Sequence, residues 1–284
     1  MLHHGSSPAP RSPLEVPGLL GADGAGAVRP APARFGAPVP IDFGERADPD
    51  RPAPFDGDVA GGVVPAERWE TANRALNVVI AGIALLLFAP VCVLVALFVK
   101  LTSPGPVFYT QTRVGLDRRW RCAASGGVGD DERRLEDLSG QPFTILKFRS
   151  MRVDAEAAGQ AVWATKHDPR ITPVGRVLRK TRLDEIPQLI NVLRGEMNIV
   201  GPRPERPSIV VRLREHVGEY PLRHRVKPGI TGWAQINHSY DASIEDVRTK
   251  VRYDLEYIQQ QGMWFDLRIM LLTVPVMVFK RGAH

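Results

Sequence analysis

Two adjacent carboxylates, Asp184 and Glu185, are the residues in this sequence best placed to do chemistry. They lie in a basic stretch, immediately before an apolar segment whose spacing is that of a short helix. Pro187 is compatible with the first turn of such a helix, because that turn makes no use of the amide hydrogen that proline lacks. The sequence therefore predicts a helix that has Asp184 as its N-cap and Gly195 as its C-terminal cap.

The position of this pair suggests two chemical roles. A carboxylate at a helix N-terminus faces the positive end of the helix dipole and stays ionised, and free amides nearby can hold a phosphate. Asp184 is thus a candidate nucleophile that attacks phosphorus and forms an acyl phosphate. Glu185 is a candidate ligand for a divalent metal that bridges phosphates. In the simpler alternative, Asp184 only caps its helix.

Five basic side chains are candidates for binding phosphate beside this pair. Arginine suits that task because its planar fork grips phosphate oxygens in pairs and never loses its charge. Arg203 lies between two prolines, in a loop whose stiffness would hold its guanidinium in place. Lys147 and Arg149 are two residues apart on a predicted strand, so they share a face and can reach phosphates together. Arg179 and Arg182 are one helical turn apart and either join this group or form a solvated face.

Four further motifs flank the carboxylate pair in a defined order. Upstream lie Lys147–Met151 and Asp168–Gly175, and downstream lie Asn198–Glu205 and Lys227–Gln235. One such motif alone is a weak signal, but the ordered set resembles the bacterial sugar transferases of the monotopic phosphoglycosyl transferase family. The resemblance runs from about Arg74 to the C-terminus.

Enzymes of that family move a sugar 1-phosphate from a nucleotide sugar to a polyprenyl phosphate. The resemblance implies that Asp184 attacks the β-phosphate of a UDP-sugar and expels UMP, that Glu185 helps to bind Mg²⁺, and that Arg203 contacts the nucleotide or its phosphates. Polyprenyl (undecaprenyl) phosphate would then take the sugar phosphate from Asp184. The resemblance also implies that this reaction is the first membrane step of exopolysaccharide, capsule, O-antigen or glycoprotein glycan assembly. It places the reaction at the cytoplasmic face of the bacterial inner membrane.

We expect an α+β protein in three parts. Residues 1–66 are rich in Pro, Gly and Ala and predict a disordered tail. Residues 67–102 predict a membrane helix, and residues 103–284 a small cytoplasmic catalytic domain of helices and short strands. An insertion at 117–140, with several glycines and a charged run, departs from the family pattern and predicts a flexible loop without a catalytic role.

The membrane helix contains the uncharged apolar run Val78–Val99, which is long enough to cross a bilayer as one straight helix. A single transmembrane anchor is therefore one interpretation. Pro90 lies near the middle of the run, where a proline breaks or kinks a helix. In the family that the chain resembles, this proline bends a re-entrant helix that enters and leaves on the cytoplasmic face, and we expect that geometry here.

The C-terminal segments predict helices with apolar faces. Ser243–Gln260 has the pattern of an amphipathic helix. Trp264–Phe279 is too short to span a bilayer and fits either an interfacial helix or a buried one. The net charge of +6 and the pI near 9.6 favour anionic partners, here phosphates and anionic membrane lipid. Nucleic acid is not expected, because the sequence shows no stacking motif or zinc finger.

Two other functions are compatible with parts of this pattern. A metal-dependent phosphatase or pyrophosphatase with an aspartyl intermediate could use the same Asp184–Glu185 pair, but it has no need of the long apolar segment. A membrane-anchored non-enzymatic scaffold would need neither the carboxylates nor Arg203. The sequence identifies no sugar, because it shows no pattern that binds sugar hydroxyls. It also leaves the oligomeric state open, a homo-oligomer included.

Overall fold

The fold is that of a computed structural model, which describes residues 63–119, 138–153, 155, 168–238 and 243–278. The predicted combination of helices and short strands is confirmed. The α-helices are α1 Glu70–Thr102, α2 Pro173–Thr181, α3 Gln188–Arg194, α4 Pro207–His216, α5 Trp233–Asn237, α6 Ile244–Gln260 and α7 Met263–Val278. The strands are β1 Phe108–Val114, β2 Pro142–Phe148, β3 Asn198–Val200 and β4 Gly229–Thr231. The 3-10 turns are Leu183–Glu185 and Tyr220–Arg225.

Within the described residues the strands form two small sheets, which bring distant motifs together. β1 and β2 pair antiparallel along their full length, and β3 and β4 pair in parallel. Glycine is required at Gly201, because a Cβ there would lie 2.4 Å from the carbonyl oxygen of Lys227. The second sheet therefore packs the backbones of segments 198–205 and 227–235 directly against each other.

Helix α1 is, among the described residues, the one helix long and apolar enough to cross a membrane. It runs through Pro90 without interruption, so the proline does not divide the apolar run into two helices. One face of α1 packs on the protein along most of its length. Ala81 joins the apolar cluster of β2 and α3, and Val95 and Val99 pack with Phe148. The other face carries large exposed apolar side chains.

Polar contacts fasten both ends of α1 to the same folded unit. Near the N-terminus, the guanidinium of Arg74 donates to the last carbonyls of α3. One turn further, Asn77 Oδ1 accepts the N–H of Ile199 in β3 over 2.6 Å. Just beyond the C-terminus, Arg149 donates to the carbonyl of Ser103 over 2.6 Å. The helix therefore lies along the protein and is held at both ends.

The main core contains α4, α6 and α7. The amphipathic helix predicted for Ser243–Gln260 is confirmed. Ser243 caps α6, since its side chain accepts from the backbone N–H of Asp246, and the carboxylate of Asp246 accepts from Ser243 in return. Val251 and Ile258 lie on the buried face of the helix. This rigid helix also carries side chains that reach toward the site described below.

Some predicted boundaries change. Residues 63–66, which the sequence assigned to the tail, pack on the core: Val63 is 1% exposed and Ala66 N donates to Ile258 O over 3.0 Å. Residues 1–62, and residues 120–137 of the predicted insertion, lie outside the described part of the chain. The last helix is buried on one face only: Ile269 of α7 packs in the main core, whereas Trp264 is 81% and Leu271 65% exposed.

Asn77→Leu tests the attachment of α1. Leucine suits an apolar helix better than asparagine does, but it leaves the buried N–H of Ile199 without its acceptor. We expect Asn77→Leu to lower the free energy of unfolding by about 1–3 kcal/mol, measured by thermal unfolding of the purified protein in detergent. Val79→Leu, on the exposed face of α1, is the matched control and should change stability by less than about 0.5 kcal/mol. An Asn77→Leu variant as stable as the parent would contradict a docked α1.

Candidate active site

A left-handed residue sets the course of the chain into the site. α2 ends at Thr181, and the C-cap residue that follows, Arg182, has a φ of 59°, in a region that residues other than glycine rarely adopt. The chain then makes the turn Leu183–Glu185, and α3 begins only at Gln188, with Pro187 at the N-cap position. The prediction that Asp184 caps this helix is therefore wrong. The carboxylate pair instead lies in a tight turn between two helices.

Glu185 is the centre of a cluster of opposite charges. Its Oε1 accepts from Lys147 Nζ over 2.8 Å and from Arg203 Nη2 over 2.7 Å. Its Oε2 lies 3.8 Å from Arg182 Nη1. The carboxylate is buried. Strand β2, the end of α2 and the loop after β3 therefore converge on one side chain.

The pKa values of the two carboxyl groups are shifted in opposite directions. Burial alone would raise the pKa of Glu185, but Arg203 and Lys147 outweigh burial and hold it well below its usual value. Burial raises the pKa of Asp184, and the neighbouring Glu185 carboxylate raises it further. Burial also lowers the pKa of Lys147, an effect that Glu185 opposes. Glu185 is thus firmly ionised, whereas ionisation of Asp184 is costly.

Asp184 is the less well satisfied member of the pair. Its side chain is buried, and Oδ1 is shielded from solvent without a hydrogen-bond partner in the described part of the chain. A buried acceptor left unpaired costs about 1–3 kcal/mol. Such strained or unsatisfied groups are concentrated at functional sites. An oxygen that no donor occupies also keeps its electron pairs available for attack on an electrophile.

Arg179 and Arg182 both contribute to the site rather than forming a solvated face. Arg179 opposes the rise in the pKa of Asp184 caused by burial and by Glu185, which places its charge near that carboxyl group. Arg182, the residue that follows α2, faces Glu185. Both arginines therefore lie near the carboxylate pair, and their role in binding phosphate stays a prediction.

Arg149 is not brought together with Lys147. β2 ends at Phe148, so the alternation that would place both side chains on one face stops before Arg149. The Arg149 side chain is buried and donates to the carbonyl oxygens of Ser103 and Pro104 over 2.6 and 2.9 Å. In this structure it fastens the loop after α1, and Lys147 alone of the two contacts Glu185.

Asn191, which no sequence pattern singled out, holds α3 against β2. It is fully buried, and its Nδ2 donates to Thr144 O and to Glu196 Oε2, each over 2.7 Å. Its Oδ1 accepts the N–H of Leu146 over 3.0 Å. These bonds join α3 to β2 immediately beside Lys147. The signal in the sequence was a polar residue within the otherwise apolar face of α3.

Lys250 and Glu205 were also missed. Glu205 follows the loop that carries Arg203, and it pairs with Lys250 at 3.0 Å and with Arg113 at 3.5 Å. Burial would raise the pKa of Glu205, but Lys250 and Arg113 lower it to about 2. No sequence pattern pointed to Lys250, because a lysine on an amphipathic helix is usually solvated.

The donor set is compatible with Mg²⁺. The described residues contain no group of three or more Asp, Glu, His or Cys side chains that could enclose a metal. Mg²⁺ commonly uses only one or two carboxylates together with substrate phosphates. Asp184 Oδ1 is unpartnered among the described residues. Glu185 Oε1 accepts hydrogen bonds from Lys147 and Arg203, whereas Oε2 has the longer contact of 3.8 Å to Arg182 Nη1, so Oε2 is the better placed ligand oxygen.

Comparison with known proteins identifies the class. Residues 68–124 and 126–280 match the family model described as bacterial sugar transferase. This match covers most of the chain, including every residue of the site described above. The chain belongs to the bacterial sugar transferase family.

Three relatives illustrate what the family contains. The chain is 45% identical over 204 residues to the UDP-glucose:undecaprenyl-phosphate glucose-1-phosphate transferase of Escherichia coli (strain K12), over 71% of this chain and 39% of the relative. It is 37% identical to the UDP-N-acetylgalactosamine-undecaprenyl-phosphate N-acetylgalactosaminephosphotransferase of Aeromonas hydrophila, over 79% of this chain and 48% of the relative. It is 35% identical to the exopolysaccharide production protein ExoY of Rhizobium meliloti (strain 1021), over 75% of this chain and 88% of the relative. The chain thus spans less than half the length of the first two relatives.

Asp184→Asn should stabilise the fold at neutral pH. Because the folded state raises the pKa of Asp184 above its ordinary value of 3.8, the folded protein binds this proton more tightly than the unfolded chain does. The ionised carboxylate therefore destabilises the fold once the pH rises above the ordinary pKa of 3.8. We expect a gain of about 0.5–2 kcal/mol at pH 7 to 8, which disappears as the pH falls to about 4. Thermal unfolding with a chelator present measures it.

Asp168→Asn is the control of opposite sign. Hydrogen bonds from Arg170 lower the pKa of Asp168 to about 2, so its carboxylate stabilises the fold above its ordinary pKa, and this contribution is lost as the pH falls toward 2. Asp168→Asn should therefore lower the melting temperature at neutral pH. A loss of stability in Asp184→Asn that matches the loss in Asp168→Asn would show that Asp184 is an ordinary structural carboxylate.

Proposed function

We propose that this protein transfers a sugar 1-phosphate from a UDP-sugar to polyprenyl phosphate, through a phosphosugar held covalently on Asp184, and releases UMP. The observation that carries the proposal is the position of Asp184 next to Glu185, which Lys147 and Arg203 contact directly. This arrangement combines an unpartnered carboxylate oxygen with concentrated positive charge. The names of the relatives support the choice of a UDP-sugar and undecaprenyl phosphate as substrates.

In the first step, a carboxylate oxygen of Asp184 attacks the β-phosphorus of the UDP-sugar. The bond between that phosphorus and the oxygen that bridges to the α-phosphate breaks, and UMP leaves with the bridging oxygen. Phosphoryl transfer depends mainly on alignment and on neutralisation of charge. Lys147, Arg203 and Arg182 provide positive charge from fixed positions, where it needs little reorganisation during the reaction.

In the second step, an oxygen of polyprenyl phosphate attacks the phosphorus bound to Asp184. The bond between that phosphorus and the carboxylate oxygen breaks, so Asp184 is regenerated and a polyprenyl diphosphate sugar forms. A covalent intermediate lets a soluble donor and a lipid acceptor use one site in turn. Burial of Asp184 also keeps water away from the intermediate.

We propose Mg²⁺ as the cofactor, with Glu185 as its ligand through Oε2. When bound, the ion would neutralise charge on the phosphates of the substrate. Glu185 suits this role because Lys147 and Arg203 keep it ionised. Lys147 and Arg203 also hold its Oε1 by hydrogen bonds, which fixes the direction of the other oxygen.

We propose that α1 is a re-entrant helix and that the catalytic domain lies on the cytoplasmic face of the bacterial inner membrane. A straight spanning helix would place its two ends on opposite faces of the membrane. Arg74 at one end of α1 and Arg149 beyond the other both bond within one folded unit, which supports a helix that returns to the side it entered. Pro90 is the natural point for the bend.

The exposed apolar face of α7 fits the same placement. Trp264, Leu271 and Val274 are exposed on a helix that has Trp264 and Phe265 in its first turn and, in the sequence, Lys280 and Arg281 beyond its end. Such a helix can lie in the interface plane with its apolar face in the acyl boundary and its cations near anionic lipid. UDP-sugars are made in the cytoplasm, so the site must face that side. We place the reaction at the start of surface glycan assembly, such as exopolysaccharide synthesis.

A stoichiometric burst tests the reaction. With Mg²⁺ and a UDP-sugar but no lipid, the parent should release at most about one UMP per protein and retain the sugar phosphate on Asp184, because the intermediate has no acceptor. Added polyprenyl phosphate should give continued turnover. Asp184→Asn should release no UMP, and chelation of Mg²⁺ should abolish the burst. UMP release and the mass of the peptide that contains Asp184 are measured over a panel that includes UDP-glucose and UDP-N-acetylgalactosamine.

Asp168→Asn is the matched control for this experiment and should keep the burst. Continued hydrolysis of the UDP-sugar without lipid would instead identify a phosphatase or pyrophosphatase. Full UMP release by purified Asp184→Asn would exclude Asp184 as the nucleophile.

Cysteine labelling tests the topology. Single cysteines at Glu67 and Thr102, at the two ends of α1, should both be protected from an impermeant thiol reagent outside intact cells, since both ends face the cytoplasm. Cys92 and Cys122, the two cysteines of the sequence, are replaced by serine in the background so that each reporter is the single thiol. Pro90→Leu should favour a straight helix and expose the reporter at Glu67. Labelling of the Glu67 reporter from outside in the parent background would show a spanning helix.

A further inference from the structure

The largest fully buried side chain of the described residues is that of Arg223, in the turn Tyr220–Arg225. Its Nη2 lies 2.7 Å from Asp254 Oδ2, and its Nε donates to the same oxygen over 2.9 Å. Its Nη1 donates to the hydroxyl of Tyr220 over 2.9 Å. Nη2 of Arg223 also donates to the backbone carbonyl of Arg203 over 3.0 Å. Arg223 therefore connects α6 to the residue that contacts Glu185.

The loop that carries Arg203 depends on such donors. Residues 202–205 include two prolines, which have no N–H to donate to a strand. The carbonyl oxygens of all four residues nevertheless accept hydrogen bonds. The carbonyl of Pro202 accepts from Gly229 N, and that of Glu205 accepts from Val114 N. The two central carbonyls accept from arginine side chains, Arg203 O from Arg223 and Pro204 O from Arg113. The loop is thus clamped on both sides of the Arg203 side chain.

The burial of the Arg223–Asp254 pair is poorly explained by stability alone. Both side chains are almost completely buried, and desolvation of a buried ion pair often cancels the attraction between its charges. An apolar pair of similar volume would commonly serve the core as well or better. What an apolar pair cannot supply is a charged donor to the carbonyl of Arg203. A guanidinium can do so because its planar fork holds several acceptors at fixed angles.

We propose that Arg223, oriented by Asp254 and Tyr220, is a positioning residue that holds Arg203 in place for phosphoryl transfer. It acts through the backbone of Arg203 and does not itself contact the substrate. The role rests on the proposed function of Glu185 and Arg203. Arg223 fixes the peptide from which the Arg203 side chain projects, and the Arg203 side chain then reaches Glu185 over 2.7 Å.

A double-mutant cycle tests this proposal. Arg223→Lys keeps the positive charge beside Asp254, but a single ammonium cannot reach Asp254, Tyr220 and Arg203 O with the geometry of a guanidinium. We expect Arg223→Lys to lower kcat by about 10- to 100-fold with little change in KM, because misalignment affects the transition state most. In an Arg203→Ala background, the same substitution should change kcat by less than about twofold.

The background dependence separates positioning from a structural role. A variant that only reduces the folded fraction loses the same factor of activity with or without the Arg203 side chain, so equal losses in the two backgrounds would overturn the proposal. Arg248→Lys is the control: Arg248 lies on the exposed side of α6, where it donates to the carbonyl of His216 over 2.8 Å and pairs with Glu245 at 3.7 Å, and its substitution should leave kcat near that of the parent. Absence of UMP release by the parent itself would instead refute the proposed function.

Tyr220→Phe keeps the cycle decisive even if Arg223→Lys does not fold. It removes only the hydroxyl that accepts from Arg223 Nη1 and preserves the buried ring. We expect kcat to fall by about 3- to 10-fold, as a smaller loss of alignment requires. The effect should vanish in the Arg203→Ala background. A Tyr220→Phe variant that folds and keeps full kcat would contradict the proposed chain of contacts from Tyr220 through Arg223 to Arg203.

Discussion

The structure depends on one buried carboxylate and the cations that neutralise it. Glu185 would be costly to bury alone, and its two hydrogen-bonded partners, Lys147 and Arg203, come from a strand and a loop that are far from it in the sequence. If either element moves, the buried Glu185 carboxylate loses one of the two cations that hydrogen-bond to it. The positions of β2, the turn after α2 and the loop after β3 are therefore set by the same requirement. That requirement also keeps positive charge beside Asp184.

The central residues of the candidate site could be predicted because their signals are local. Asp184 and Glu185 are adjacent, and Arg203 lies between two prolines, so a short window of sequence shows both features. The buried face of α6 followed from its helical period in the same way. The fold class could be predicted from such local patterns as well, and the structure confirms it at that level.

The remaining features depend on geometry that sequence patterns do not contain. Asp184 was expected to cap α3, but the left-handed backbone of Arg182 inserts a 3-10 turn first, and no residue type there signals that conformation. The alternation of side chains along a strand predicts Arg149 on the same face as Lys147, but the strand ends at Phe148, one residue before Arg149. Arg223 and Asp254 are 31 residues apart, on a turn and on a helix, and only the packed fold brings them together.

The attachment of α1 at both ends has a consequence for the kinetics of the reaction. A catalytic domain on a flexible tether would sample many heights above the bilayer, and its encounters with a lipid would resemble those of a soluble protein. Here Arg74 and Arg149 allow no such tether. With α1 in the membrane, the depth of Asp184 relative to the lipid head groups is constant. In the proposed reaction the lipid acceptor would then arrive by lateral diffusion, so its effective concentration would be the number of its molecules per unit area of membrane. The rate should follow the mole fraction of polyprenyl phosphate in the membrane rather than its amount in the total volume.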